Sequence, residues 1–136
     1  HYIAEQSKRY LENDSIFIFF KTLESLRIEN KLHTINTSKI TNDTPKTDIL
    51  YSDDYVWIES VNVFAKIKLA CQNEGISFDL SRQELYQKLE SEKLLITKDN
   101  RRSYEYRKGQ FRQSVICLPR NNLNRYLTYD KEDIKL

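Results

Sequence analysis

The run Leu80-Ser81-Arg82-Gln83-Glu84-Leu85 constrains this chain more than any other stretch. Ser81 and Glu84 have capping-box spacing, so a hydroxyl and a carboxylate can each satisfy a backbone amide that the first turn of a helix leaves unpaired. Leu80 and Leu85 can close a hydrophobic staple around that cap. A helix therefore begins there and runs to about Glu92, with Leu85, Tyr86 and Leu89 as its buried stripe. Beyond it, Leu94 to Thr97, Tyr104 to Arg107 and Phe111 to Leu118 read as three strands, separated by Lys98-Asp99-Asn100 and Lys108-Gly109-Gln110. Both interruptions are turn-rich and short, the second pair forms a hairpin, and Pro119 stops the last strand.

Upstream, apolar residues at Ile16, Phe19, Phe20, Leu23 and Leu26 follow Asn13 and Asp14, either of which can cap a helix ending near Asn30. A short extended segment from Leu32 to Ile35 follows. Asn36 to Asp48 offers little to bury and reads as an exposed loop or hinge. Ile49 to Tyr51 and Tyr55 to Ile58 read as short strands around Ser52-Asp53-Asp54, with Val56 and Ile58 facing one way and Tyr55 and Trp57 the other. Ser60 is placed to cap a helix from about Val61 to Asn73, and Gly75 supplies the left-handed residue after it. Residues 1–12 read as the end of a preceding linker or helix. The implied division is 1–48 (linker, helix and polar loop), 49–120 (the main domain) and 121–136 (a tail).

The 136 residues carry a formal charge of only +2, but Lys98 to Arg125 contain eight bases against Asp99 and Glu105, a net of +6 that leaves −4 for the rest. Such asymmetry creates a local anion-binding face. Arg101, Arg102, Arg107, Lys108 and Arg112 flank and occupy a turn where long cationic side chains can meet successive phosphates. Tyr104, Tyr106 and Phe111 either support the sheet or stack on bases, with support of the sheet the favoured reading for the tyrosines.

Other chemistry is poorly provided for. With two glycines in the whole chain there is no phosphate loop or dinucleotide fingerprint, and no zinc-spaced Cys/His set occurs. Cys71 and Cys117 read as reduced core thiols, and His33 as a helix-end or surface residue. Asp53, Asp54 and Glu59 can be imagined as a magnesium-holding nuclease cluster, although a strand-linking turn followed by a helix start is preferred. No catalytic residue, metal site or cofactor is expected. The longest apolar stretch, Ile16 to Phe20, is far short of the roughly 20 residues that cross a bilayer as a helix, and a cytoplasmic location is expected.

A capped helix, a connecting strand and a basic hairpin match the last part of a winged helix. The expected fold is therefore α+β: a winged-helix-like domain with a basic β-hairpin wing, preceded by an amphipathic helix and short strands. The recognition helix is nearly neutral, so the wing supplies the electrostatics while Arg82, Gln83, Gln87 and Lys88 are candidate readers of base edges.

With Phe20-Lys21-Thr22-Leu23-Glu24-Ser25-Leu26, Tyr55-Val56-Trp57-Ile58, Leu85 to Leu95 and the Arg-rich hairpin ending Val115-Ile116-Cys117-Leu118-Pro119, most of residues 14–120 resemble the C-terminal region of primase-helicase-like replication ATPases of phages, plasmids and genomic islands. The resemblance implies a winged-helix tail that follows an ATPase motor in a homo-oligomeric parent and engages duplex origin DNA. Where the helix before such a wing commonly has Gly, this sequence has Glu92-Lys93. The absence of Met, even at position 1, agrees with a piece of a longer protein. The alternative is a module that docks a replication protein or supports assembly of the helicase, with Trp57, Tyr51 and Tyr126 as exposed apolar candidates.

Replacing Ser81 with Ala is expected to cost about 1 kcal/mol in urea unfolding, the usual loss for an N-cap.

Overall fold

The computed structural model describes residues 14–123. Residues 1–12 and most of the expected 121–136 tail, including Arg125 and Tyr126, lie outside that range. Helix α1 spans Ser15–Ile28 and is opened by Asp14, whose carboxylate accepts from the Ile16 N–H at 2.8 Å. Strands β1 (Thr34–Asn36), β2 (Ile49–Tyr51) and β3 (Tyr55–Glu59) follow, with a 3-10 turn at Thr37–Lys39 between the first two. Then come α2 (Asn62–Asn73), α3 (Arg82–Ser91), the hairpin β4 (Ser103–Lys108) and β5 (Phe111–Pro119), and one turn of helix, α4 (Arg120–Leu123). The fold is α+β, with a five-stranded sheet in the order β1-β2-β3-β5-β4. Only β1 and β2 run parallel; the other neighbours are antiparallel.

The helices cover one face. Ile16, Phe20 and Leu23 of α1, Val63 and Ile67 of α2, and Leu85 and Leu89 of α3 meet Val56, Ile58, Ile116 and Leu118 of the sheet in one buried cluster. Period-two alternation selects those strand residues, and it sends Trp57, Val115 and Cys117 to the opposite face.

The capping box is fully formed: Ser81 Oγ accepts from the Glu84 N–H at 3.1 Å, and Glu84 Oε1 accepts from the Ser81 N–H at 3.2 Å. These bonds hold the Glu84 carboxyl below its usual range. All three long helices end alike. A left-handed residue (Asn30, Gly75 or Lys93) follows each, and the next amide donates back to a carbonyl five residues earlier, at 2.8 to 2.9 Å. Lys93 thus makes, with φ of 59°, the turn for which Gly is the commoner residue.

Three local expectations are corrected. Ser60 does not cap α2, because its hydroxyl is engaged with Ser114 Oγ at 2.7 Å. Glu59 takes that role instead, its carboxylate accepting from the amides of Val61 and Asn62. Leu94 to Thr97 is not a strand: Leu94 N–H closes the α3 terminus, and only Ile96 bridges to Cys117. The third concerns residues 36–48, expected as an exposed loop or hinge: most of their side chains are exposed as expected, but the segment is packed down. They form a strap across the sheet face opposite the helices, with Ile40 buried in a second cluster with Leu50, Phe111 and Val115.

Polar contacts fasten the strap. Gln113, only 3% exposed, accepts from the Thr47 N–H at 2.8 Å and donates its amide to the Thr47 carbonyl. Asn42 Oδ1 accepts from the Gln110 N–H at 2.9 Å, and a Cβ at Gly109 would run into that oxygen. The boundary expected at residue 48 thus runs through a continuous sheet and core. The low hydrophobicity of this segment gives no local sign of its packing, because it is held by hydrogen bonds as well as by Ile40.

Gln113→Ala strands both backbone groups of Thr47 in a buried position and is expected to cost about 2 to 6 kcal/mol, given about 1 to 3 for each unsatisfied group. Urea unfolding measures the loss, and hydrogen exchange at Thr47 is expected to accelerate.

Candidate functional site

The basic segment does not form one surface. Along β4, Ser103, Glu105 and Arg107 share a face, and Tyr104, Tyr106 and Lys108 share the other. Arg107 pairs in register with Arg112, which belongs to the alternation Arg112, Ser114, Ile116, Leu118 on the helix side. Arg107 and Arg112 therefore project from the hairpin on the side that carries α1, α2 and α3. Both are exposed, and Glu105 lies between them, 2.9 Å from Arg107 Nε and 3.8 Å from Arg112 Nη1. One carboxylate against two guanidiniums leaves this face positive.

Three of the nine expected contact residues are engaged by the fold, and a fourth, Arg101, borders a different surface from Arg112. Arg102 pairs with Glu90 of α3, Nη2 to Oε1 at 3.0 Å, and so ties the hairpin base to that helix. Arg82 Nη1 donates to the Ser60 carbonyl at 3.3 Å. Lys108 points to the outer face, where Nζ donates to the Thr37 carbonyl of the strap at 2.6 Å. Arg101 sits beyond a tight turn in which Asp99 and Asn100 both have positive φ, and it is exposed. Gln83, Gln87 and Lys88 are exposed on α3, while Leu85, Tyr86 and Leu89 bury its other side.

The outer face holds an aromatic group. Trp57 of β3 and Tyr106 of β4 have ring centroids 5.2 Å apart, Tyr55 lies 5.8 Å from Trp57, and Trp57 Nε1 donates to Tyr104 Oη at 3.0 Å. Burial pushes the Tyr104 phenol up to about 12 and also raises Tyr106 and Cys117. The rings of Trp57, Tyr104 and Tyr106 are half-buried, so the tyrosines support the sheet without being sealed inside it. Phe111 is buried and presents no free face. The concavity along these rings has a volume of about 480 Å³ and is also lined by Lys98 and Arg101.

Lys98 was not among the expected contacts, and Trp57 was expected only as an apolar candidate for docking a protein. Alternation along β4 was the available signal: it separates Tyr104 and Tyr106 from Arg107, and hence two surfaces from one charge run.

The remaining polar candidates have structural posts. Asp53 and Asp54 lie in the exposed turn between β2 and β3, while Glu59 caps α2. His33 is exposed, and its backbone amide donates to Asp48 Oδ2 at 2.8 Å. Cys71 and Cys117 are buried and free. Among the described residues no helix is long and apolar enough to cross a membrane.

No family model matches the chain, and no curated protein matches it significantly. The functional reading consequently rests on the two surfaces.

A phenol whose folded pKa is raised keeps its proton where the unfolded chain has lost it. The Tyr104 contribution is thus complete below pH 10 and disappears as pH rises towards about 12. Urea unfolding across that range is expected to show falling stability, with a shallower fall in Tyr104→Phe.

Proposed function

We propose that this chain is a DNA-binding domain of winged-helix type, with α3 as the groove helix and the β4-β5 hairpin as a basic wing. In this reading it stands C-terminal to the motor of a mobile-element replicative helicase or initiator and engages duplex origin DNA in the cytoplasm. Catalysis belongs to the motor, and the domain itself needs no cofactor.

The observation that carries the reading is the placement of Arg107 and Arg112 opposite one another on the hairpin face directed to the helix side. Gln83, Gln87 and Lys88 are exposed on α3, whose C-terminal half is joined to the hairpin base by Arg102 and Glu90. The order of elements supports it as well: a helix, three strands, two helices and a hairpin whose second strand returns to pair with β3, the strand just before those two helices. In such an arrangement the helix offers the Gln83 and Gln87 amides to base edges while Lys88 and the wing cations meet phosphates.

Docking of a replication protein is the second reading. It is favoured by Ile28 and Leu69, apolar side chains 61% and 57% exposed on α1 and α2.

If Lys88, Arg107 and Arg112 each neutralise one duplex phosphate, they contribute about −2.7 to the slope of log affinity against log salt, and Ala at any one makes the slope shallower by about 0.9. Salt-dependent anisotropy titrations of origin and random duplexes check this. An unchanged slope and affinity in the triple variant overturn the proposal and favour the docking reading.

A further inference from the structure

The aromatic rings on the outer face are not used by a helix-and-wing contact, because β4 alternation turns Tyr104 and Tyr106 away from the helix side; Arg112 does not line the concavity, and Arg107 borders it only from the edge strand. The strap covers only part of this face: Ile40 closes over Leu50, Phe111 and Val115, and beyond it Tyr55, Trp57, Tyr104 and Tyr106 remain. Tyr55 is 40% exposed, an unusual position for a large ring on a central strand. The rings come from β3 and β4 and lie to either side of β5, the strand between them.

Charge at the rim indicates what such a surface can accept. Lys98 Nζ stands 5.2 Å from the centre of the Tyr104 ring, and Arg101 is exposed next to it. Arg107 reaches the same rim from the edge strand. Asp99 and Glu105 also line the concavity, but Glu105 is engaged by Arg107 and Arg112. Cations bordering a row of half-open rings suit a ligand that alternates flat apolar groups with negative charges. An apolar peptide would leave the cations unmatched, and a duplex keeps its base faces stacked inside.

We propose that the outer sheet face binds single-stranded nucleic acid, with bases stacking on Trp57, Tyr106 and Tyr55 and the backbone phosphates met by Lys98 and Arg101. A sheet surface bearing aromatics within a basic border is a sequence-tolerant platform, since every base has a face to stack. The inference goes beyond the duplex reading and uses a different surface.

Trp57 is the single tryptophan of the chain, so its fluorescence reports on this site alone. The full chain is titrated with oligo(dT) and oligo(rU) of about 12 nucleotides, a length within the usual site size, and in parallel with labelled duplex. Quenching of Trp57 is expected, with affinity reduced about tenfold or more in Tyr106→Leu, as loss of one stacked base implies. Tyr106→Phe, which keeps the ring, is expected to retain binding, and Lys98→Ala with Arg101→Ala to flatten the salt dependence. Circular dichroism melts establish that each variant is folded. Preference between the two oligomers identifies DNA or RNA as the source of the strand.

The results separate the two surfaces. Quenching by the oligomers without duplex binding supports this inference and removes the helix-and-wing reading. Duplex binding that depends on Arg107 and Arg112, with no Trp57 quenching by either oligomer, overturns the inference alone. Equal affinity of Tyr106→Leu and the parent chain for the oligomers also overturns it.

Discussion

Strand β5 pairs with β4 from Phe111 to Ile116 and with β3 from Val115 to Pro119, and it is the link between the hairpin and the body of the sheet. Its alternation decides the rest of the structure. Ile116 and Leu118 complete the core beneath the three long helices, Val115 and Cys117 lie under the aromatic face, and Gln113 holds the strap. A slip of one residue would exchange those faces, turning Gln113 and Val115 towards the helices and leaving Ile116 and Leu118 outside. The register is therefore held by the burial of those apolar residues, and every cation on the hairpin inherits its direction from it.

That inheritance gives the charge asymmetry its physical meaning. A net of +6 between Lys98 and Arg125 would suggest one broad anionic partner. The pleat instead distributes the cations: Arg107 and Arg112 towards the helix side, Lys98 and Arg101 beside the outer rings, Arg102 to Glu90, and Lys108 to the strap. Half-exposed ion pairs such as Arg102–Glu90 contribute little to stability on their own. Their value here is geometric, because that pair joins the hairpin base to α3 and sets one candidate surface against the other.

Much of this was legible locally. The boxed start of α3, the end of α2 at Gly75, the opposed faces of β3 and the hairpin at Gly109 all follow from hydrogen-bonding needs within a few residues. The misreadings share a different cause. Ser60 has the chemistry of a cap, but its partner Ser114 is far away in sequence, which leaves Glu59 to do the capping. Leu94 to Thr97 has strand-like composition but meets β5 at one bridge only. The polar strap gave no local sign of its anchor, since Gln113 and Thr47 are joined across the fold.

The sequence by itself determined most of the elements and their order, the shared facing of Val56 and Ile58, the burial of Leu85 and Leu89, and the presence of a cationic hairpin, because caps, turns and hydrophobic period act over short distances. The tertiary structure decided that the strap belongs to the sheet and that the cations serve two surfaces. It also left Trp57, Tyr104 and Tyr106 half-open on the side away from the helices. Those outcomes depend on which strand pairs with which and in what register, and that is set by the burial of residues far apart in the chain.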